Sequence, residues 1–267
     1  MMAAGARGPG LVAAVLVAAG RGSRMARFLD GATSASGAIM NPERAGEWGR
    51  PKQYLELAGR PIVTHTIDRF ESTPTIDRII LVVPPGDERT CDMEIVRPFG
   101  FRKVAAIVAG GAERQASVSH GLDALPDEVE WVAVHDGVRP CVTPEQIAAV
   151  VNAAVQADGA ILAVPLRDTP KQVGSDGVIQ STLVRSQIWL AQTPQVFRRA
   201  ALREAHARAA ADGVVGTDDA ALMERLGARV VVVEGSTANV KITTPDDLPV
   251  AEQWLVSRGM STAGRSS

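Results

Sequence analysis

Apolar runs of strand length alternate along this chain with amphipathic stretches of helix length, and that rhythm constrains the fold more than any single motif. The runs 11–17, 78–83, 103–108, 131–134, 160–164 and 229–233 are rich in Val, Ile and Ala and read as buried strands. The segments 62–71, 112–124, 144–157, 198–211 and 218–226 read as helices. Pro144 and Pro245 follow Thr143 and Thr244, so each pair reads as an N-cap and a first helical position. A strand that is apolar on both faces must be covered on both faces. The alternation therefore predicts an α/β fold: a Rossmann-like, three-layer, mostly parallel sheet with helices on both sides. There is no internal repeat and no long linker, so one domain is expected over 11–256, with 1–10 a disordered leader and 257–267 a disordered tail.

Two segments break the rhythm. Residues 26–49 are rich in Gly, Ala, Ser and Asn between two basic clusters and read as an inserted, mobile loop. Within 166–187, two short β runs, 171–173 and 178–182, flank Gly174-Ser175-Asp176-Gly177. That pattern predicts a β-hairpin projecting from the sheet as an arm, a shape suited to docking on a second subunit.

Bulk properties exclude several function classes. A formal net charge of -2 over 267 residues argues against a general nucleic-acid binder, though not against a local basic pocket for one nucleotide. None of Trp48, Trp131, Trp189 and Trp254 falls in a pattern suited to stacking on bases. Cys91 and Cys141 are the only cysteines and are far apart, so neither a disulfide framework nor a zinc site is expected. The apolar run 11–19 is too short to span a membrane and is followed by a basic segment, so it reads as the first strand. A cytoplasmic protein with no membrane and no nucleic-acid partner is the expectation.

The chemistry begins directly after that strand, at Val17-Ala18-Ala19-Gly20-Arg21-Gly22-Ser23-Arg24. Small residues let the backbone approach a nucleotide, backbone amides can bind phosphate, and Arg21 and Arg24 add positive charge. The spacing is neither that of a Walker loop nor that of the dinucleotide fingerprint, which disfavours a P-loop NTPase and a dehydrogenase. Next comes Arg50-Pro51-Lys52-Gln53-Tyr54, where a lysine after a proline is placed to put its ammonium on a transferring phosphate. Asp136 closes the strand 131–134, at the carboxyl edge where open α/β sheets bind ligands. A carboxylate there can orient substrate hydroxyls or help to hold a metal, and the sequence does not choose between the two.

Together these motifs resemble the cytidylyltransferases of the non-mevalonate isoprenoid pathway. Gly110-Gly111-Ala112-Glu113-Arg114-Gln115-Ala116-Ser117-Val118 resembles the family's nucleotide-facing turn, and His135-Asp136-Gly137-Val138-Arg139-Pro140 its His-Asp-x-x-Arg-Pro signature. Arg167-Asp168-Thr169, Thr193-Pro194-Gln195, Thr217-Asp218-Asp219 and Asn239-Val240-Lys241-Ile242-Thr243 follow in the family's order. The similarity runs from about Leu11 to Leu255.

The resemblance implies transfer of the cytidylyl group of CTP to 2-C-methyl-D-erythritol 4-phosphate with release of pyrophosphate. It implies Mg2+ as the divalent cation with CTP, and a homodimer whose arm reaches across to the partner. By the same resemblance, Arg24 and Lys52 stabilise the transition state, while Arg185 and Lys241 position the attacking phosphate. Ala18, Ala19, Gly20, Gly22, Gly111, Ala112 and Ser117 face the nucleotide. Asp136, Arg139, Thr169, Thr193 and Thr217 line the sugar-alcohol phosphate pocket, with Asp136 also the candidate metal ligand. Two features depart from the pattern: Ala112 stands where many members have Asp, and the connection 26–49 is long. A ribitol 5-phosphate cytidylyltransferase is the nearest alternative, and a non-catalytic nucleotide-binding module is the alternative of another class. His65, His120, His135 and His206 read as structural or solvated.

Overall fold

A computed structural model describes residues 10–20 and 51–258. Gly22, Arg24, Trp48 and the insertion 26–49 lie outside the described residues, as do 1–9 and 259–267.

The first strand, β1 (Leu11–Val17), is buried along nearly its whole length. Small hairpin strands β2 (Glu56–Leu57) and β3 (Arg60–Pro61) lead into helix α1 (Ile62–Glu71). After β4 (Arg78–Val83) come three short helical turns: α2 (Glu88–Cys91), a π turn at Asp92–Val96, and α3 (Arg97–Phe99). The chain continues through β5 (Val104–Ala109), α4 (Arg114–Asp123), β6 (Val129–Asp136), α5 (Pro144–Ala154) and β7 (Gly159–Pro165). The hairpin β8 (Lys171–Val173) and β9 (Ile179–Thr182) precedes β10 (Trp189–Arg198), α6 (Arg199–Ala211), α7 (Asp219–Arg225), β11 (Val230–Glu234) and α8 (Asp247–Ser257).

Seven strands form one sheet in the order β11-β7-β10-β6-β1-β4-β5. All neighbours pair in parallel except β10, which runs antiparallel to both β6 and β7. The alternation along β1 explains the layering. Val12, Ala14 and Leu16 join a core with Val63, Ile67 and Phe70 of α1 and Ile147 and Val150 of α5. Ala13 and Val15 face the opposite core with Val118 and Leu122 of α4 and Leu202 and Ala205 of α6. The Rossmann-like three-layer expectation is therefore what the chain adopts.

Several local expectations hold and several are corrected. Helix α1 has the expected bounds, and Thr143 caps α5 through a reciprocal capping box with Gln146, with Pro144 at the start. At Thr244 the expectation fails: α8 starts only at Asp247 and has no side-chain N-cap. The Asp247 carboxylate instead gathers the N–H groups of Thr243 and Thr244 and both their hydroxyls. Strand β10 was not anticipated, because Gln192, Thr193 and Pro194 break its apolar pattern; its pairing with β7 is irregular between Ala191 and Gln195. The predicted hairpin is present, exposed along both strands, with Val173, Val178, Ile179, Leu183 and Val184 open to solvent.

Candidate active site

The carboxyl ends of β1, β4, β5 and β6 meet at one edge of the sheet. The N–H of Ala18 donates to the carbonyl of Val82 (2.8 Å), Gly110 to Val83 (2.7 Å) and Gly137 to Val17 (2.8 Å). The contact is close enough to need glycine. A methyl group on Gly110 would overlap the Cβ of Ala19, and one on Gly137 would come within 2.8 Å of the Cβ of Ala18. The two glycines thus bring the Gly110–Gly111 turn and the β6 exit against the loop after β1. Ser117 is buried and its hydroxyl is committed to that turn: it accepts from the N–H of Gly111 (3.0 Å) and donates to the carbonyl of Glu113 (3.0 Å).

Beside this edge lies a pocket of about 260 Å³ lined by Arg114, Asp136, Arg139, Thr193, Thr217 and Lys241 among others. Asp136, almost fully buried at the end of β6, is its organising charge. One carboxylate oxygen lies 3.1 Å from Nε of Arg114; the other lies 2.8 Å from Nζ of Lys241 and 3.6 Å from Nε of Arg139. Burial alone would raise the Asp136 pKa, but Arg114, Lys241 and Arg139 more than offset it and hold the carboxyl well below the usual range. Arg114 is in turn braced from behind by Asp219, at 2.8 Å, and Asp219 meets Nε2 of His206 at 3.1 Å. Burial opposes the charge on Asp219 as well, and Arg114 and His206 reverse that, so its pKa is lowered.

A second set of bonds fixes the frame around Asp136. Its N–H donates to the Thr193 hydroxyl (3.1 Å), which lies 3.0 Å from Nδ1 of His135. Nε2 of His135 lies 3.2 Å from the carbonyl of Arg139, and a carbonyl can only accept. The proton therefore sits on Nε2, and Thr193 donates to Nδ1. Burial pushes the His135 pKa down to about 3, so the ring is neutral at pH 7.

The Lys52 side chain reaches the backbone of the residue that follows Lys241, far away in the chain. Lys52 opens a 3-10 turn, Lys52–Tyr54, and its Nζ donates to the carbonyl of Ile242 at 3.0 Å. Ile242 belongs to a satellite core with Leu55, Leu57, Ile62, Val138, Cys141, Ala251 and Leu255. Lys241 lies in the loop between β11 and α8 and not on a strand. That loop is anchored by burial of Ile242 and by its N–H, which donates to the carbonyl of Val138 at 2.9 Å.

A profile of the 2-C-methyl-D-erythritol 4-phosphate cytidylyltransferase family matches residues 38–257. The chain belongs to this family. Relatives bearing that family name include one from Syntrophus aciditrophicus, 50% identical over 77% of this chain and 88% of its own. Another, from Pelotomaculum thermopropionicum, is 46% identical over 92% of this chain and 95% of its own. Among solved structures, the 4-diphosphocytidyl-2C-methyl-D-erythritol synthase of Anaerococcus prevotii superposes with a TM-score of 0.76 at 28% identity, covering 92% of this chain and 96% of its own. The Thermus thermophilus cytidylyltransferase gives 0.68 at 31% identity, covering 91% and 98%.

In this cytidylyltransferase the fold gathers Ala18, Ala19, Gly20, Gly111 and Ala112 at one strand edge, with Asp136, Arg139, Thr193, Thr217 and Lys241 in the adjoining pocket and Lys52 beside Ile242. It does not bring Thr169 and Arg185 to that pocket within one chain. Both are on the exposed arm, where Nη1 of Arg185 donates to the carbonyl of Arg167 at 2.8 Å. Gly22 and Arg24 lie outside the described residues. The motifs include Arg114 and Asp219 but give neither a role, because nothing linear announces that these two residues, 105 positions apart, share one ionic chain. His206, a structural or solvated residue by sequence, lies two side chains from Asp136.

Proposed function

We propose that the protein transfers the cytidylyl group of CTP to 2-C-methyl-D-erythritol 4-phosphate, giving 4-diphosphocytidyl-2-C-methyl-D-erythritol and pyrophosphate. The observation that carries this reading is the meeting of Lys241, Arg139 and Arg114 around Asp136, in a member of this family, directly beside the small-residue loop after β1.

The acceptor's phosphate oxygen attacks the α-phosphorus of CTP. A new P–O bond forms in line with the breaking bond to the β-phosphate, and pyrophosphate leaves with that electron pair. Positioning and charge neutralisation carry the catalysis. Lys241 and Arg139 present cations to the incoming phosphate, and Asp136 holds both in register until the phosphate competes for them. Lys52, with Arg24, neutralises charge growing on the α-phosphoryl and leaving oxygens. Ala18, Ala19, Gly20, Gly22, Gly111 and Ala112 surround the nucleotide, while Ser117 shapes the turn. Thr193 and Thr217 complete the acceptor pocket.

Both Asp136 oxygens are already engaged by side-chain cations, and among the described residues no three His, Cys, Asp or Glu side chains cluster to hold a metal. Direct metal ligation therefore fits Asp136 poorly. Mg2+ belongs in this reading to the substrate, as the CTP complex, where it neutralises the triphosphate.

Thr169 and Arg185 act from the arm of a second subunit in a homodimer. The support is that neither lines the pocket of its own chain, together with the exposed apolar side chains of the arm. No helix among the described residues is long and apolar enough to cross a membrane, and the reading places the enzyme in the cytoplasm.

Pyrophosphate release with MgCTP tests the reaction, comparing 2-C-methyl-D-erythritol 4-phosphate with ribitol 5-phosphate. Turnover with the first acceptor only is expected. Preference for the second would move the protein to polyol-phosphate metabolism, and release with neither would overturn the catalytic reading.

A further inference from the structure

Asn239 is completely buried, two residues before Lys241, and takes no part in the mechanism above. Its side-chain amide donates from Nδ2 to the carbonyl of Thr193 (3.0 Å) and to Oε1 of Gln192 (3.2 Å). Its backbone carbonyl accepts from Nη1 of Arg139 at 2.8 Å. The orientation of the amide is over-determined. The carbonyl of Thr193 can only accept, and Gln192 spends its own amide N–H on the carbonyl of Ser236 (2.9 Å), which leaves Oε1 to face Asn239. One residue thus ties three parts of the site together: β10 at Thr193, the Arg139 guanidinium, and the loop that carries Lys241.

We propose that Asn239 is a positioning residue that sets the placement of Lys241 and Arg139 against the incoming phosphate; the kinetic part of this inference rests on the function proposed above. The loop after β11 has no ladder to hold it. A long lysine side chain is useful for transfer only where its root is fixed, because a small misplacement of a charge aimed at a phosphate is costly. Without Asn239, the Thr193 carbonyl and Gln192 Oε1 lose their donors, and the Arg139 anchor shifts with the loop.

Two measurements test this, on the full chain and on variants whose circular dichroism is native. The first is steady-state pyrophosphate release. In Asn239→Ala, kcat/KM for the acceptor phosphate should fall about ten-fold or more while the KM for CTP stays within about two-fold. Added to Lys241→Ala, the same change should cost no more than about two- to three-fold, since it acts through a group already gone. The second is competitive reductive methylation read by mass spectrometry, which needs no substrate. Lys241 should label several-fold faster in Asn239→Ala than in wild type, with Lys171 of the exposed arm as the internal standard. Asn239→Asp conserves the volume and removes both donors, so it carries both measurements if the alanine variant does not fold.

Unchanged kinetics with unchanged Lys241 labelling, a rise in the CTP KM as large as that for the acceptor, or fully multiplicative losses with Lys241→Ala would each overturn the proposal. Wild-type inactivity on the acceptor together with faster Lys241 labelling in the variant would count against the proposed function and leave the positioning role standing.

Discussion

A lysine on the surface of a protein is worth little, and Lys52 and Lys241 matter only because of what surrounds them. The Lys52 ammonium is held at the carbonyl of Ile242, and the Lys241 ammonium at the carboxylate of Asp136. Each is therefore pre-placed, and no large reorganisation is needed when phosphate arrives. Lys52→Ala and Lys241→Ala are each expected to lower kcat by about 100-fold or more, with melting temperatures close to wild type. Near-normal turnover in a folded variant would remove that lysine from the mechanism. The identity of these residues could be read from motif order alone. The role of Arg114 could not, because its significance comes from bridging Asp136 and Asp219, residues 22 and 105 positions away.

At the scale of elements, the hairpin of β8 and β9 is the part that the single chain leaves unexplained. Its strands pair with each other and not with the central sheet, and its apolar side chains face solvent. A two-stranded hairpin with nothing packed on it is marginal by itself, which is the physical reason for assigning it a partner subunit. If Arg185 serves the partner's pocket, mixing Arg185→Ala subunits with Lys241→Ala subunits should restore part of the activity that neither variant has alone. Verified mixed dimers without recovery would show that the arm serves only its own chain. The hairpin was legible because its Gly/Asp-rich turn is a local signal. Strand β10 was not, because its ladder partners β6 and β7 impose strand on a segment whose own residues, Gln192-Thr193-Pro194, argue against it.

For the whole molecule, the buried ionisable groups make stability depend on pH. His135 has its pKa pushed down to about 3, below the unfolded value, so the unfolded chain takes up a proton first. Its contribution is complete above about pH 6.5 and is lost as the pH falls toward 3, an expected cost of about 2 kcal/mol at pH 5 relative to pH 8. His65, whose pKa burial also lowers, acts in the same direction. The lowered Asp136 and Asp219 carboxyls add a further loss only below about pH 4. Thermal unfolding should therefore show a falling midpoint between pH 7.5 and 5, with a shallower slope in His135→Gln. An unchanged slope in that variant would mean that His135 is not the group being titrated.

The sequence by itself determined the layered α/β architecture and the hairpin arm, because these follow from apolar periodicity and turn chemistry, which are local, and it carried the motifs by which the chain resembles its family. Tertiary structure alone decided that Lys52 reaches the Ile242 carbonyl beside Lys241, that Lys241 rides on an anchored loop, and that a chain of side chains runs from His206 through Asp219 and Arg114 to Asp136. The reason is physical: those features depend on which buried polar and charged groups find partners across the sheet edge. Such pairing is set by packing in three dimensions, where residues 190 positions apart can share one hydrogen bond.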